Sequence, residues 1–364
     1  MRLVATATVK PGAILAKAIY NDKGQTLLSE GVELGERVLL RLVNLGITYI
    51  YIKDPNTADI NHNDPISGKL RREAMTTIES TFKQVYKDTS ISNSFVIEKA
   101  SKRFTELIRH IMSEIRGNED LITIISDVYT YDNYIFTHSL NVTMYSLAIG
   151  MELKLPPKQL ELLGMGAILH DVGKMKIPSE ILLKPGRLTS EEFEEVKKHP
   201  EEGFNILRNV PGISLLIAHC AYQHHERVNG SGYPRGLTEE SIHSFGKIIA
   251  VADVFDAVTS NRIYRRAMLP HDGLEILFAG VGTLFDSKVV EAFRRSVAIY
   301  PVGITVELND GRLGVVSNQN NGLSDRPIVR VLEENGISVC PYELDLSKEL
   351  SVMITGCDTT FPKN

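Results

Sequence analysis

The sequence has no tryptophan and only three cysteines, Cys220, Cys340 and Cys357, in 364 residues. An odd, sparse set without metal-ligand spacing excludes a disulfide framework and fits a reducing compartment. Cys220 lies near several histidines, but a small buried core thiol is the simpler reading. No apolar run approaches the roughly 18 residues needed to span a bilayer, so no membrane insertion is expected. Met1 to Lys10 alternates Val, Ala and Thr and lacks the apolar stretch of a signal peptide. A cytoplasmic location is therefore the expectation. Positive charge is not in excess: the net charge is -5 and the pI is near 6.1. That balance argues against a nucleic-acid polymer as the main partner. A small anionic ligand stays open, because local charge can oppose net charge.

Hydrophobic residues make up 43% and charged residues 23% of the chain, a balance that suits two or three packed domains. Residues 1–65 read as a small mixed α/β domain. Val4 to Val9 alternates like a strand, and Ile14 to Tyr20 reads as a second. Leu34 to Leu45 has helical spacing and stops near Gly46. Ile47 to Ile52 is β-branched and aromatic and favours a strand. Asp54 to Gly68, with Pro55 and Pro65, reads as a linker. Residues 66–118 read as a helical connector, either a helix or a hairpin. Its apolar positions include Phe82, Phe95, Phe104 and Ile108, and a homodimer through it is a second reading. Residues 119–305 form the helical core domain. Leu160 to Leu169 is apolar nearly all round and should be buried. Thr189 to Glu192 is a capping box, and Pro200 marks a break just after His199. Residues 306–364 form a small β-rich appendage. Ile304 to Leu308, Asn309-Asp310-Gly311 and Arg312 to Val316 read as a hairpin. Ile328 to Leu332 and Ile337 to Cys340 continue the strand pattern.

Within the helical stretch runs an ordered set: His138, His170-Asp171, His199, His224-His225 and Asp253. Imidazole and carboxylate suit a first-row transition metal, and seven ligands are too many for one ion. The economical reading is a two-metal site that cleaves a phosphate ester. Taken singly the residues say less. His170-Asp171 alone fits either a metal site or a hydrogen-bonded pair in a core. A lone histidine such as His138 or His199 is more often structural. His224-His225 is stronger, because packing does not explain two adjacent histidines in an apolar-flanked helix. Asp253 lies among Ile, Ala and Val and needs compensation. Asp256 shares its face and reads as a supporting group. Lys174 follows Asp171 by one turn and can neutralise phosphate oxygens. In Asn229 to Pro234, glycines loosen the loop and Pro234 restricts Tyr233.

Together these residues resemble the HD-GYP subgroup of the HD-domain phosphohydrolases. The matching segments are His170-Asp171-Val172-Gly173-Lys174, Lys184 to Thr189, His224 to Leu237, and Asp253 to Arg265. The resemblance covers about half the chain, and the ordered combination is specific. It implies a mainly α chain with an all-helical HD-type catalytic domain. It also implies a centre of two or three divalent transition-metal ions, most often iron or manganese. The implied activity is hydrolysis of cyclic di-GMP to linear pGpG or on to GMP. Carried over by position, His138, His170, Asp171 and Asp253 would hold one metal. Asp171 would bridge to a second, held by His199, His224 and His225. Lys174 would contact the scissile phosphate, and Tyr233, Arg262 and Arg265 would hold the ligand. Asn229 stands where this loop usually has Asp. Tyr134 stands where some members carry a third-metal carboxylate, so a dinuclear site is expected. The alternatives are another cyclic dinucleotide, such as cyclic GMP-AMP, and a non-catalytic cyclic di-GMP receptor.

Overall fold

The computed structural model describes residues 1–20, 25–60, 64–87, 90–117, 134–182, 184, 186–260, 267–320 and 322–360. The first unit holds strands β1 (Arg2–Ala5), β2 (Ala13–Ile14), β3 (Ile19–Tyr20), β4 (Thr26–Leu28) and β5 (Glu33–Leu34), helix α1 (Glu36–Asn44) and strand β6 (Tyr49–Ile52). β1 runs antiparallel to β6, with Leu3 opposite Tyr51. α1 turns Leu39 and Leu42 inward and ends before Gly46, whose φ of +80° suits a residue without a Cβ.

Two strand expectations change here. β1 stops at Ala5, and Thr6–Thr8 coil into a short 3-10 turn. The Thr8 hydroxyl donates to the Ala5 carbonyl at 2.8 Å, a local bond that competes with ladder pairing. The expected strand from Ile14 to Tyr20 is two short pieces, because β2 pairs with β5 while β3 pairs with β4.

The helical body contains α2 (Gly68–Lys87), α3 (Ser90–Gly117), α4 (Tyr134–Glu152), α5 (Pro157–Leu169), α6 (Ser179–Leu182), α7 (Ser190–Val196), α8 (His199–Leu207), α9 (Leu215–Gln223), α10 (Ser244–Thr259), α11 (Pro270–Ala279) and α12 (Ser287–Ser296). α2 and α3 pair with each other and join the core of this body. Phe82, Phe104 and Ile108 are fully buried in the same apolar cluster as Leu140, Met144 and Ile168. A Cβ on Gly164 of α5 would meet Ile108 at 2.8 Å, so this glycine lets α3 and α5 approach closely. α4 and α5 are apolar on nearly every side and buried accordingly. Cys220 sits in this core, and burial pushes its thiol up to about 12. It is a packing residue.

α7 opens on the expected capping box: Thr189 Oγ1 accepts from Glu192 N, and Glu192 accepts from Thr189 N. Pro200 does not break a helix. It lies in the first turn of α8, where a missing N–H removes no helical bond.

The last unit is one antiparallel sheet of β7 (Thr305–Leu308), β8 (Arg312–Asn318), β9 (Ile328–Glu334), β10 (Ile337–Asp345) and β11 (Ile354–Asp358). Its strand order is β10-β9-β8-β7-β11. The two ends of the chain meet. Leu3 N bonds Gly303 O at 2.8 Å, and Ala5 N bonds Thr359 O at 2.7 Å. Met1, Leu3 and Tyr51 share an apolar cluster with Ile304, Val306 and Val316. The chain is thus mainly α, with a small mixed unit and a small sheet flanking the helices. Among the described residues, no helix is long and apolar enough to cross a membrane.

Candidate metal centre

Three helix ends and two helix interiors converge in the middle of the helical body. His170 caps the end of α5, and Asp171 follows it directly. His199 opens α8, and His224 caps the end of α9 with His225 beyond it. His138 lies in the second turn of α4, and Asp253 lies within α10. The doublet His224-His225 is therefore just past a helix, where the sequence suggested a helix interior. A helix end leaves carbonyls without partners, and the histidines use them. His170 Nδ1 donates to Ala167 O at 2.7 Å, His199 Nδ1 to Val196 O at 2.7 Å, and His224 Nδ1 to Ala221 O at 2.8 Å. A carbonyl can only accept, so each Nδ1 carries the proton. Each Nε2 is then a lone pair facing the centre.

His138 is held differently. Its Nδ1 donates to Asp256 Oδ2 at 2.7 Å. Asp256 also accepts from Asn141 Nδ2 at 2.8 Å and from Ser260 Oγ at 2.9 Å. Asp256 thus orients His138 and does not face the cluster. His138 Nε2 lies 3.0 Å from Asp253 Oδ1 and 3.6 Å from Asp171 Oδ2.

Asp171 occupies the middle. Its Oδ2 is 3.4 Å from His170 Nε2, while its Oδ1 is 3.3 Å from His199 Nε2 and 3.7 Å from His224 Nε2. Two groups of possible ligands result: His138, His170 and Asp171, and His199, His224 and His225. Within each group one donor atom per residue lies within 4.8 Å of the others. His225 Nδ1 also lies 3.7 Å from Asp253 Oδ2.

The residues fit a bound cation. Asp171 Oδ1 and His170 Nε2 are buried and make no hydrogen bond among the described residues. Leaving such groups unpaired is costly, and a metal ion removes that cost. Charge state agrees. Burial by itself would raise the pKa of Asp171, but the Lys174 ammonium holds it well below the carboxylate range. Burial also opposes ionisation of Asp253, yet His138 and His225 keep it low. Burial lowers His199 to about 4, and it lowers His170, His224 and His225 as well. These imidazoles are neutral at pH 7, the form that binds metal.

Lys174 Nζ is 2.5 Å from Asp171 Oδ2, at the edge of the centre. Gly173 explains how that segment fits. A Cβ there would meet His199 O at 2.0 Å and Gly203 N at 2.5 Å. The turn after Asp171 therefore packs backbone to backbone against α8, which fixes Asp171 relative to His199.

Tyr233 stacks on His225 with ring centroids 4.7 Å apart. Its loop is held by a residue that sequence reasoning passed over. Buried Glu226 accepts from Arg235 N and Leu237 N, both at 2.8 Å. A Cβ on Gly232 would meet Glu226 Cα and His225 O at 2.5 Å, so the loop lies directly on the histidine doublet. Gln223, also passed over, accepts from His243 N at 2.8 Å and ties the end of α9 to the start of α10. The pairing of a buried carboxylate with the glycine-rich turn that follows it is the only local signal for Glu226. Asn229 Oδ1 accepts from Ser231 N at 3.0 Å and Ser231 Oγ at 2.7 Å, so an amide oxygen serves as the turn acceptor. Tyr134 stacks on His138 at 5.3 Å, an aromatic ring where a carboxylate could stand. Arg262 and Arg265 lie outside the described residues.

The chain belongs to the HD domain family, whose model matches residues 104–289. The run from His224 to Leu237 places it in the HD-GYP subgroup. It is 36% identical over 227 residues to a cyclic di-GMP phosphodiesterase of Pseudomonas aeruginosa, covering 62% of this chain and 55% of that one. It is 42% identical over 151 residues to a cyclic di-GMP phosphodiesterase response regulator of Xanthomonas campestris, covering 41% and 40%. It is 36% identical over 168 residues to a 3'3'-cGAMP-specific phosphodiesterase of Vibrio cholerae, covering 46% and 39%. The chain thus spans about half the length or less of these relatives. Members of this family bind divalent metal, and the histidine and aspartate groups described above suit that chemistry.

Proposed function

We propose that this chain is a metal-dependent phosphodiesterase that hydrolyses cyclic di-GMP to linear pGpG, GMP or both. The observation that carries the reading is Asp171, whose two oxygens face two different sets of histidines. In this reading His138, His170, Asp171 and Asp253 hold one ion. His199, His224 and His225 would hold a second, and Asp171, with an oxygen toward each set, would serve both. Iron or manganese suits such a mixed imidazole and carboxylate set. Bound divalent cations supply Lewis acidity, which acidifies water and neutralises phosphoryl charge.

The chain's own residues do the rest. Asp171 is kept ionised by the Lys174 ammonium against it. In this reading the Lys174 ammonium, held against Asp171, would offset the charge that builds on the phosphoryl oxygens as the 3′ oxygen departs. Burial raises the pKa of Tyr233, so its phenol remains a hydrogen-bond donor at working pH. The stack on His225 holds that donor beside the cluster. Arg262 and Arg265 complete the ligand contacts in this reading. The substrate assignment rests on the names of the relatives. The 3'3'-cGAMP-specific relative supports hydrolysis of a mixed cyclic dinucleotide as the second reading.

The test is turnover of cyclic di-GMP and 3'3'-cGAMP by anaerobically purified, iron- or manganese-loaded protein, with products separated by chromatography. Asp171→Ala runs alongside. Wild-type turnover of cyclic di-GMP, absent in the variant, is expected. Faster turnover of cGAMP selects the second reading. Binding of cyclic di-GMP without turnover of either nucleotide would replace both with a receptor role.

A further inference from the structure

A cyclic dinucleotide carries two phosphodiesters, and only one is cleaved at a time. Lys174 serves the cluster end of the site, because its ammonium is already against Asp171 at 2.5 Å. The second phosphodiester is also an anion and calls for a cation of its own. Lys197, at the end of α7, lies beside the Tyr233 loop. Its Nζ lies 5.6 Å from the centroid of the Tyr233 ring and 5.5 Å from that of Phe193. Tyr233 in turn stacks on His225. Tyr233 is thus in contact with both His225 and Lys197.

Three properties suit Lys197 to an anion. Its side chain is 30% exposed, so a ligand can reach it. Two aromatic rings restrict the ammonium without neutralising it. Its ion-pair partner among the described residues is Glu194, at 2.6 Å, whose own side chain is 67% exposed. An exposed pair of this kind contributes little, so the ammonium can change partner at small cost.

Resting on the phosphodiesterase reading, we propose that Lys197 holds the non-scissile phosphodiester of the cyclic dinucleotide. It is a positioning residue for the large substrate and has no part in the bond that breaks. The experiment compares two substrates on metal-loaded protein: cyclic di-GMP, and bis(p-nitrophenyl) phosphate, which has a single phosphodiester. Lys197→Met should raise KM for cyclic di-GMP by about tenfold with kcat little changed. Bis(p-nitrophenyl) phosphate kinetics should not move. Lys197→Arg should restore most of the loss. Equal damage on both substrates would mean that Lys197 merely props Tyr233, and no damage on either would remove it from the site; both overturn the proposal. If the wild type cleaves the small diester but neither cyclic di-GMP nor cGAMP, the substrate reading fails first and the proposal falls with it. That failure is visible before any variant is compared.

Discussion

Asp256 accepts a hydrogen bond from His138 Nδ1 at 2.7 Å, and Asp253, one helical turn earlier, lies 3.0 Å from the other nitrogen of the same ring. One histidine is thus held between two carboxylates of α10. Asp256 fixes the ring, and Asp253 shares the cluster with it. Asn141 and Ser260 bond Asp256 in turn and keep it from rotating away. A partner of this kind orients a ligand and raises its basicity. Asp256→Asn should therefore weaken metal binding by about 10-fold or more while the helices remain folded. Metal content after dialysis, read with a circular dichroism melt, checks this. Full metal retention in the variant would make Asp256 a packing residue only.

The same arrangement sets a pH dependence. Burial lowers the pKa of His138, but the bonds from Asp253 and Asp256 prevail and hold it up to about 9. The metal-stripped protein therefore carries a proton on His138 at pH 7, and metal must displace it. The folded value lies above the ordinary one, so the proton competes at every pH below about 9. Apparent metal affinity should rise from pH 7 to pH 9 by about tenfold per unit and then level off. His199, at about 4, contributes nothing to this slope. Competition titrations against a chelator of known pH dependence measure it. A flat profile across that range would show that His138 is already neutral.

Gly173→Ala tests how the cluster is assembled. The added methyl would fall 2.0 Å from His199 O, which cannot yield without moving α8. The turn holding Asp171 and the histidine facing it would separate. Loss of bound metal and a stability loss of about 1–3 kcal/mol are expected, as for overpacked sites. Metal analysis and denaturant melts report the two effects separately.

Glu226→Gln separates the loop from the metal. The carboxylate accepts two backbone N–H groups, at Arg235 and Leu237. An amide presents only one acceptor oxygen. One N–H then loses its partner, which costs about 1–3 kcal/mol locally. Tyr233 would be less well held against His225. The expected outcome is a raised KM with metal content unchanged, measured on the same preparation. A fall in metal content would mean that Glu226 acts on the histidines and not on the loop.

Much of the centre was legible because each of its residues is expensive to bury. His170, Asp171 and Asp253 sit among apolar neighbours, and burial without compensation is unfavourable. Asp256 was readable as a supporter from its spacing to Asp253. The capping box at Thr189 was readable because its two bonds span three residues. Glu226 and Gln223 were not, since their partners are backbone amides 9 to 20 residues away. Pro200 was misread because a proline signals either a break or a first turn, and only the course of the chain decides. β11 escaped notice, because Ile354–Asp358 pairs with a strand some fifty residues earlier. The contact between the two chain ends left no local trace either. It depends on Leu3 meeting Gly303 and Ala5 meeting Thr359.

The most direct test of the account is the metal count per chain, taken with turnover on the same sample. Anaerobically purified wild type should hold two transition-metal ions and cleave cyclic di-GMP. Asp171→Ala should lose most of both ions together, and turnover with them, because one carboxylate faces both histidine sets. Full turnover with a single ion per chain, or an Asp171→Ala protein that keeps two ions, would contradict the bridged centre.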